Sequence, residues 1–356
     1  MQVEFVAGGT AAWHELLHEV PHDIYHLPSY VELAAAHEPA DAAAEARAII
    51  VREGSRAMLL PMLIRRIPGT ASDRDAISPY GYPGPLFQGG DDRDFVARAS
   101  AAMVERLHSE GIVSMFVRTH PLLNRDLSGI ESVGDVVEHG ETVSIDLGQS
   151  DEEIWVGTRR RFRSYIHAAE RAGRRAYLDE RWENGAAFVR MYAATMHRVG
   201  ARAEYLLGAD YVRGLRAALG DRLHLCVVDV DGVIAAAGLF TEEDGIVQYH
   251  LSGTDAAYER ERPTMLMLHF VRGFMKARGN RVMHLGGGLG GARDSLFDFK
   301  AGFSKDRQPF RTWRVVVDPV RYAELARARQ PTADPAREGG FFPLYRRVGG
   351  PRSNRD

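Results

Sequence analysis

The stretch RVMHLGGGLGGARDSLFDFKAGF, residues 281–303, organises the interpretation of the whole chain. An apolar strand pattern breaks into a glycine cluster and then enters a short aromatic segment that carries one lysine, Lys300. Glycine allows a backbone to turn sharply and to approach other groups closely. The pattern therefore predicts a turn that delivers a single ammonium group to one place, and chemistry is expected there.

The glycine cluster formally satisfies the GxGxxG pattern of a dinucleotide site. Such a site also needs a crossover helix, a second parallel strand and an acid about 20 residues further on. Here the chain passes into DSLFDFKAGFS instead, and neither a GxxxxGK[ST] loop nor a GxSxG elbow occurs. Without an activated nucleophile on the protein, we expect direct attack of one bound substrate on another, with the protein supplying positioning and charge stabilisation.

The charge balance argues against a general affinity for polyanions. The chain has 45 basic and 48 acidic residues and a net charge of −3, so any contact with nucleic acid must come from a local patch. Only three of the basic residues are lysines, namely Lys276, Lys300 and Lys305. Because arginine is used at almost every other basic position, a lysine in this sequence indicates a position that needs a compact ammonium group. Chance placement on a solvated loop is the alternative.

Several other features predict a protein without disulfide bonds, metal or a membrane span. The one cysteine, Cys226, lies in the run LHLCVVDV, which predicts a buried strand thiol. Histidines recur at every fourth position from His14 to His26, but Pro21 interrupts the helix, and no metal site is expected. The N-terminus lacks a basic start followed by an apolar core, and no window is apolar enough for a membrane span. A cytoplasmic protein is therefore expected.

Two parts of the chain share one order of elements. Each begins with a hairpin pattern, which turns at Gly54 in the first part and at Gly232 in the second. A helix that stops at glycine, Gly111 or Gly279, and then a strand follow in each part. This repetition predicts one α/β unit used twice.

A proline- and glycine-rich loop, SPYGYPGPLFQGG at residues 78–90, interrupts the first unit. It carries the aromatic residues Tyr80, Tyr82 and Phe87. Long loops with a stiff backbone and aromatic tips are often binding walls. Two interpretations of this loop are therefore kept: it forms a wall of the substrate site, or it covers an edge of the sheet.

A basic helix is expected at the join between the two units. Ser150 followed by Glu153 is typical of a capping box, and the helical pattern continues through VGTRRRFRSYIHAAERAGRRAYL. Its spacing turns Phe162, Ile166 and Ala169 toward a core and leaves several arginines on the other face. That face is either a patch for a polyanion or a solvated run of charge.

These features resemble a known family. The doubled unit resembles a pair of acetyltransferase-type (GNAT) folds, and HLGGG…DSLFDFKAGFS resembles the C-terminal motif of FemABX-like transferases. TRRRFRSYIHAAERAG is similar to the basic helix that opens the family's second domain, and the Tyr-Gly-Tyr loop resembles its substrate-facing loop. The resemblance covers about Tyr25 to Phe310.

The resemblance implies an α/β fold of two tandem GNAT-like domains, with mixed sheets flanked by helices and no long coiled-coil arm. Residues 1–148, completed by 315–346, would form the first domain. Residues 149–314 would form the second, which carries the Lys300 motif, and 347–356 would be a disordered tail.

The resemblance also implies an enzyme, an amide-forming aminoacyltransferase. Aminoacyl-tRNA would be its co-substrate, without a further cofactor, and its acceptor would be an amine of a peptidoglycan precursor or of a peptide metabolite. The family's Phe-Lys pair falls on Phe299 and Lys300, and Lys300 would stabilise the oxyanion that forms on the attacked carbonyl.

Further contacts follow from the same resemblance. Acceptor contacts would come from Tyr80, Tyr82, Arg198, Tyr205 and Tyr249. The amine's proton would pass to His250, to solvent or to the substrate. Phosphates of the tRNA end or of a nucleotide-bearing acceptor would meet Arg159, Arg160 and Arg163. Lys305 is the second choice after Lys300 and would bind the substrate through a phosphate.

Two other functions stay open at this point. One is an acyl-coenzyme-A N-acyltransferase of polysaccharide or envelope biosynthesis, and the other is a non-catalytic GNAT-like binding protein. Enzymes that use coenzyme A cradle its pyrophosphate with a glycine-rich turn at a helix start. The corresponding segments read YERERPTMLM, without glycine, and GGDDRDFVARA, where acids would repel phosphate. This pattern favours tRNA as the donor.

Overall fold

The computed structural model describes residues 1–90, 92–202, 205–329 and 341–347. The chain forms two compact units: the first contains residues 1–20, 34–138 and the chain from 311 onward, and the second contains residues 21–33 and 139–310. The domain limits inferred from the sequence stay a prediction about independent folding. The expected disordered tail lies, apart from Arg347, outside the described residues.

Helices and strands are interspersed along the described chain. In chain order they are β1 (Gln2–Ala7), α1 (Ala11–Glu19), α2 (Pro28–His37), β2 (Glu45–Glu53), β3 (Arg56–Arg66), β4 (Arg74–Ile77), β5 (Leu86–Gln88), α3 (Arg93–Ser109), β6 (Ile112–Arg118), β7 (Asp135–Asp146), α4 (Asp151–Gly157), α5 (Arg160–Arg171), β8 (Arg175–Leu178), α6 (Gly185–Arg198), α7 (Ala209–Leu219), β9 (Leu223–Val230), β10 (Val233–Glu243), β11 (Ile246–Thr254), α8 (Pro263–Ala277), β12 (Val282–Gly287), α9 (Ser295–Lys300), β13 (Asp306–Val316) and α10 (Pro319–Arg329).

The sheet of the first unit has the order β1-β2-β3-β4-β6, and the C-terminal part of β13 pairs with β6. The β2–β3 hairpin turns at Gly54, which has a φ of 62°, as expected from the sequence. Strands β4 and β6 are parallel, and the helix α3 connects them. A parallel pair requires such a crossover connection.

The sheet of the second unit repeats this order of elements. It runs β7-β12-β11-β10-β9-β8 and carries the β9–β10 hairpin with its turn at Gly232. Strands β11 and β12 are parallel and are connected by the helix α8. The prediction of one α/β unit used twice, with mixed sheets flanked by helices, is confirmed.

The parallel pair of the second unit separates early. Strands β11 and β12 pair only over Ile246–Gln248 and Val282–His284, although β11 continues to Thr254 and β12 to Gly287. A β-bulge between Leu239 and Phe240 distorts the neighbouring pairing of β10 with β11. The ends of β11 and β12 therefore leave one another, and polar groups of both strands become available to other partners.

The basic helix differs from the expected one. Its capping box is present, because the backbone N–H of Glu153 donates to Ser150 Oγ and that of Ser150 donates to Glu153 Oε2. The helix then ends at Gly157, since Thr158 has extended angles (φ −72°, ψ 132°), and α5 starts afresh at Arg160. The segment Arg175–Leu178 is strand β8 and not helix, because it pairs with β9.

Other expectations about burial are met. The predicted inner face of α5, namely Phe162, Ile166 and Ala169, is buried, and so is Cys226 on β9. In the loop at 78–90, residues Leu86–Gln88 pair with β3, which fits the sheet-edge alternative for that part of the loop. Among the described residues, no helix is both long and apolar enough to span a membrane.

Candidate active site

Lys300 is the last residue of α9, a short helix that follows the glycine turn. Asp294 caps this helix: its Oδ1 accepts a hydrogen bond from the backbone N–H of Phe297 at 2.9 Å. Its Oδ2 accepts another from the N–H of Leu289, also at 2.9 Å. One carboxylate therefore fastens the glycine turn to the helix that carries Lys300.

The glycine turn has no room for a side chain at Gly288. A Cβ atom there would overlap the carbonyl oxygen of Ala292 and the carboxylate of Asp294. The preceding residue, Gly287, ends β12, and its carbonyl oxygen accepts a hydrogen bond of 2.7 Å from Lys300 Nζ. The turn thus brings the end of β12 and the end of α9 together through the ammonium group.

Aromatic packing holds α9 from the other side. The ring of Phe299 lies 5.9 Å from that of Phe162 on α5 and 5.5 Å from that of Phe303. A Cβ atom at Gly302 would collide with the ring of Phe162, so glycine is required for this close approach. Phe299 thereby supports the position of its neighbour Lys300.

Lys300 is half-buried, and this changes its acidity. Burial lowers the pKa of Lys300 to about 8, against the opposing effect of the Asp294 carboxylate. An ammonium group has three N–H bonds, and the described structure shows one partner, the carbonyl of Gly287. The others can donate to a substrate oxygen while the group remains protonated near neutral pH.

Positive charge gathers beside α9. Arg159 donates from Nη1 to the carbonyl of Asp298 at 2.9 Å, and its backbone N–H donates to the carbonyl of Gly302 at 2.8 Å. Burial and the neighbouring cations Arg159 and Arg293 lower the pKa of Arg307, while Glu141 opposes them. This concentration of arginine near Lys300 is suited to an anionic ligand.

The other two arginines of the predicted phosphate patch lie on the first turn of α5. Arg160 is exposed and Arg163 is half-buried. The Nε atom of Arg163 is buried and has no hydrogen-bond partner in the described part of the chain. The structure therefore brings Arg159 to α9 directly and places Arg160 and Arg163 on the adjoining helix.

Tyr249 and His250 lie on β11, where this strand leaves β12. Tyr249 packs against Phe240, with ring centres 5.4 Å apart, and its hydroxyl contacts Ser252. His250 is buried, and its Nδ1 lies 3.5 Å from the hydroxyl of Tyr25. Burial raises the pKa of Tyr249 to about 12 and lowers that of His250 to about 4, with Asp23 opposing the latter.

A buried network of hydrogen-bonded polar side chains lies beside His250. The side-chain amide of Gln248 donates to Asp23 Oδ2 at 2.6 Å, and its oxygen lies 2.8 Å from Nδ1 of His284 on β12. This network links β11, β12 and residues 21–33 within the second unit. No sequence pattern indicated it, because Asp23 and Gln248 are 225 positions apart and carry no shared motif.

The buried state of His250 has a testable consequence. Its pKa is about 4 in the folded protein, below the reference value of 6.5, so the unfolded chain binds more protons between these values. The free energy of unfolding should therefore fall as pH decreases from 6.5 to 4. In His250→Gln this slope should be smaller, as measured by urea denaturation at a series of pH values.

His269 provides the comparison for this experiment. Burial lowers its pKa to about 4 as well, so His269→Gln should remove an independent part of the slope. The double variant should then lose both parts. An unchanged slope in His250→Gln would contradict the buried neutral state of that ring.

The remaining predicted contacts are not gathered around Lys300 by any described hydrogen bond. Arg198, at the end of α6, forms an ion pair with Glu259 at 2.7 Å. The carbonyl of Tyr205 accepts from Tyr192 at 2.7 Å. Lys305 is exposed and lines a small cavity of about 250 Å³.

Two predicted contacts belong to the first unit. Tyr80 is 41% exposed. Tyr82 is half-buried and packs against His120, with ring centres 6.4 Å apart. Their part in substrate binding stays a prediction.

A metal centre has no support among the described residues. The segment from His14 to His18 reads HELLH, which fits the HExxH spacing of zinc-binding helices. Both histidines are exposed on α1. No group of three or more His, Cys, Asp or Glu residues in the described ranges could hold a metal ion.

Comparison with known proteins supports the fold and the class of enzyme. Residues 157–300 match the acetyltransferase (GNAT) domain family. The crystal structure of FemX is similar, with a TM-score of 0.70 at 13% identity, over 91% of this chain and 99% of that one. The structure of L-PGS from Bacillus licheniformis has a TM-score of 0.53 at 11% identity, over 86% and 92% of the two chains. No curated protein sequence matches significantly.

These likenesses confirm part of what the sequence predicts. The resemblance to the tandem GNAT-type, FemABX-like fold is confirmed, and so is the acyltransferase class. Both structural likenesses are below 15% identity, and they concern the fold alone. The donor, the acceptor and the roles of individual residues therefore rest on chemistry.

Proposed function

Because this chain is an acyltransferase with the tandem GNAT-type, FemABX-like fold, we propose that it forms an amide bond by aminoacyl transfer from aminoacyl-tRNA. The acceptor is an amine of a peptidoglycan precursor or of a peptide metabolite. The observation that carries the proposal is Lys300, a half-buried ammonium group fixed by the Gly287 carbonyl at the junction of β12 and α9. Charged tRNA places the reaction in the cytoplasm.

The reaction needs stabilisation of one developing charge. The neutral amine nitrogen attacks the ester carbonyl carbon, and the carbonyl oxygen becomes an oxyanion. Lys300 donates a hydrogen bond to this oxygen until the intermediate collapses. The C–N bond is made in the attack; on collapse the carbonyl double bond re-forms, the bond to the ribose oxygen breaks, and that oxygen leaves with a proton. A preorganised cation in a partly desolvated site is effective for this purpose.

The proton of the attacking amine requires a separate route. Burial lowers the pKa of His250 to about 4, which makes this ring a poor proton acceptor near neutral pH. The proposal therefore assigns the proton to solvent or to the leaving ribose oxygen. His250 is retained as a wall of the acceptor site beside Tyr249.

The donor is assigned from the charges near α9. Arg159 contacts the backbone of Asp298 directly, and Arg307 and Arg293 lie close enough to influence each other electrostatically. Arg160 and Arg163 extend this charge along α5. Several arginines beside one catalytic ammonium suit the phosphates at the end of a tRNA.

The helix starts argue against coenzyme A as the donor. Helix α8 begins at Pro263 after Arg262, and no glycine turn precedes it. Helix α3 begins after Asp92, whose side chain accepts from the N–H of Phe95 at 3.0 Å. An acid already occupies the amide groups that would face a phosphate in the first unit.

A transfer assay tests the donor. Purified protein is incubated with tRNA charged with a mixture of labelled amino acids and with a lysine-containing peptidoglycan pentapeptide precursor. Label should appear in the precursor, and pretreatment of the tRNA with RNase should abolish it. Acetyl-coenzyme A in place of charged tRNA should give no product.

Each contrary result has a definite meaning. Transfer that survives RNase would reject tRNA as the donor, and efficient transfer from acetyl-coenzyme A would favour the acyl-coenzyme-A alternative. Product formation by Lys300→Ala at the wild-type rate would reject the assigned oxyanion role while leaving the donor intact.

A further inference from the structure

A large cavity in the second unit lies apart from every residue assigned above to the reaction. Its volume is about 1440 Å³, and residues of α4, α5, β8 and α8 line it. None of the lining residues belongs to the predicted catalytic, acceptor or phosphate contacts. This cavity is here called the α5–α8 cavity.

The centre of the α5–α8 cavity is aromatic. The indole of Trp155 lies 4.8 Å from the ring of His167 and 5.1 Å from that of His269. Phe270 and Phe274 stack along α8, with ring centres 6.1 Å apart. Such a lining suits a ligand with an apolar or aromatic body.

A buried cation lies in the wall of this aromatic centre. Arg272 is 5% exposed, and its guanidinium lies 5.6 Å from the centre of the Trp155 ring. It donates one hydrogen bond of 2.8 Å, to Thr158 Oγ1. Among the described residues it forms no ion pair; the carboxylate that acts on it electrostatically, Asp151, is itself paired with Lys276 at 3.0 Å.

Neighbouring basic groups differ from Arg272 in this respect. Lys276, which also lines the cavity, pairs with Asp151 at 3.0 Å, and Arg174 pairs with Glu261. The Nδ1 atom of His269 is buried without a hydrogen-bond partner in the described structure. The cavity therefore holds, next to one another, a guanidinium and an imidazole nitrogen that can each form a further hydrogen bond.

The rim limits the charge of the ligand. The acids that line the cavity are exposed or half-exposed, namely Asp151, Glu152, Glu170, Asp229 and Asp231. Asp151 is paired with Lys276, and Glu170 is paired with His167 and His269. Acids at a mouth repel multiply charged anions such as nucleotides more strongly than a single charge. A monoanion with an apolar body satisfies both the buried cation and the acidic rim.

We infer that the α5–α8 cavity binds a small amphiphilic carboxylate, with its carboxylate on Arg272 and its apolar body against Trp155. This site is separate from the reaction proposed for Lys300 and does not depend on it. The carboxylate accepts hydrogen bonds from the guanidinium, and the aromatic surfaces of Trp155, Phe270 and Phe274 leave water on binding.

The test is a titration of the full chain with sodium 4-phenylbutyrate, followed by tryptophan fluorescence. Trp182→Phe is used as the background, and Trp13 and Trp313 are fully buried, so the emission that changes is that of Trp155. We expect a saturable change with a Kd of about 1 mM or tighter. The amine analogue, 4-phenylbutylamine, should give no saturable change.

Arg272→Gln should raise this Kd by at least about tenfold, because a charged hydrogen-bonding partner is lost. Arg216→Gln is the matched control: Arg216 lies over another tryptophan, Trp182, at 4.8 Å, outside the cavity. In the otherwise wild-type chain, this control should leave the Kd unchanged. Circular dichroism confirms that each variant is folded.

A second measurement covers the case in which Arg272→Gln does not fold. In the wild-type chain 4-phenylbutyrate should raise the melting temperature, whereas 4-phenylbutylamine should not. Equal effects of acid and amine, no saturable binding, or an unchanged Kd in folded Arg272→Gln would each overturn the inference. The last result would show that Arg272 serves only to hold the end of α4 through Thr158.

Discussion

Replacement of Lys300 by alanine is expected to lower kcat by about 10²–10³-fold, with little change in KM. The ammonium group is fixed by a 2.7 Å hydrogen bond to the Gly287 carbonyl and has N–H bonds left for the substrate. Its contribution arises mainly in the transition state, when the carbonyl oxygen becomes charged, so the loss should appear in kcat. Steady-state kinetics of labelled transfer measures both constants.

Lys300→Arg is the sharper variant of this experiment. A planar guanidinium keeps the charge but cannot occupy the place of a compact ammonium between α9 and the end of β12. It should therefore retain only part of the activity. Full turnover by Lys300→Arg would refute the requirement for a compact cation, whichever donor is used.

The pH dependence provides an independent check on the same group. Burial lowers the pKa of Lys300 to about 8, so the protonated form predominates below this value and is lost above it. The wild-type kcat/KM should consequently fall on the alkaline side of about pH 8. Lys300→Arg should lack this alkaline decline, because arginine stays protonated.

The second large effect is expected for Gly288→Ala. The added methyl group would overlap the Ala292 carbonyl and the Asp294 carboxylate, so the turn that presents the Gly287 carbonyl must move. A displacement of about 1 Å at a positioning group can cost about 10²-fold in rate. We therefore expect a loss of about 10–100-fold in kcat, measured by the same transfer assay.

A control glycine distinguishes this effect from the general cost of substitution. At Gly157, which ends α4, an added methyl group would meet no atom within 4 Å, and the backbone φ is not positive. Gly157→Ala should retain wild-type kcat, and its unfolding midpoint should be unchanged or slightly raised, because alanine is the better helix former. Wild-type kcat in Gly288→Ala would mean that the glycine turn does not position Lys300.

Much of the fold was readable from local patterns. Turn residues at Gly54 and Gly232 indicated the two hairpins, and the Ser150–Glu153 spacing indicated a helix start. The periodicity around Phe162 identified the buried face of α5 correctly. The break at Thr158, which has extended angles, was not predicted. The strand Arg175–Leu178 was not predicted either, because pairing with β9 overrides the helical pattern of that segment.

The candidate site also has parts that the sequence indicates and parts that only the structure shows. The glycine cluster and the unusual retention of lysine point to Lys300 without any knowledge of the fold. The Asp294 cap is also accessible from the sequence, since an acid three residues before Phe297 fits a helix start. No local sequence pattern identifies Arg272 or the buried network from Asp23 to His284, because their hydrogen-bond partners are distant in sequence.

The sequence by itself therefore determined that one α/β unit is used twice and that a single ammonium group follows a glycine turn. Those features depend on neighbours a few residues apart, which local geometry controls. Tertiary structure alone decided that Lys300 is half-buried against the Gly287 carbonyl, and that Arg272 is enclosed beside Trp155. Burial and its effect on charge arise when distant segments pack together, and no short stretch of sequence encodes them.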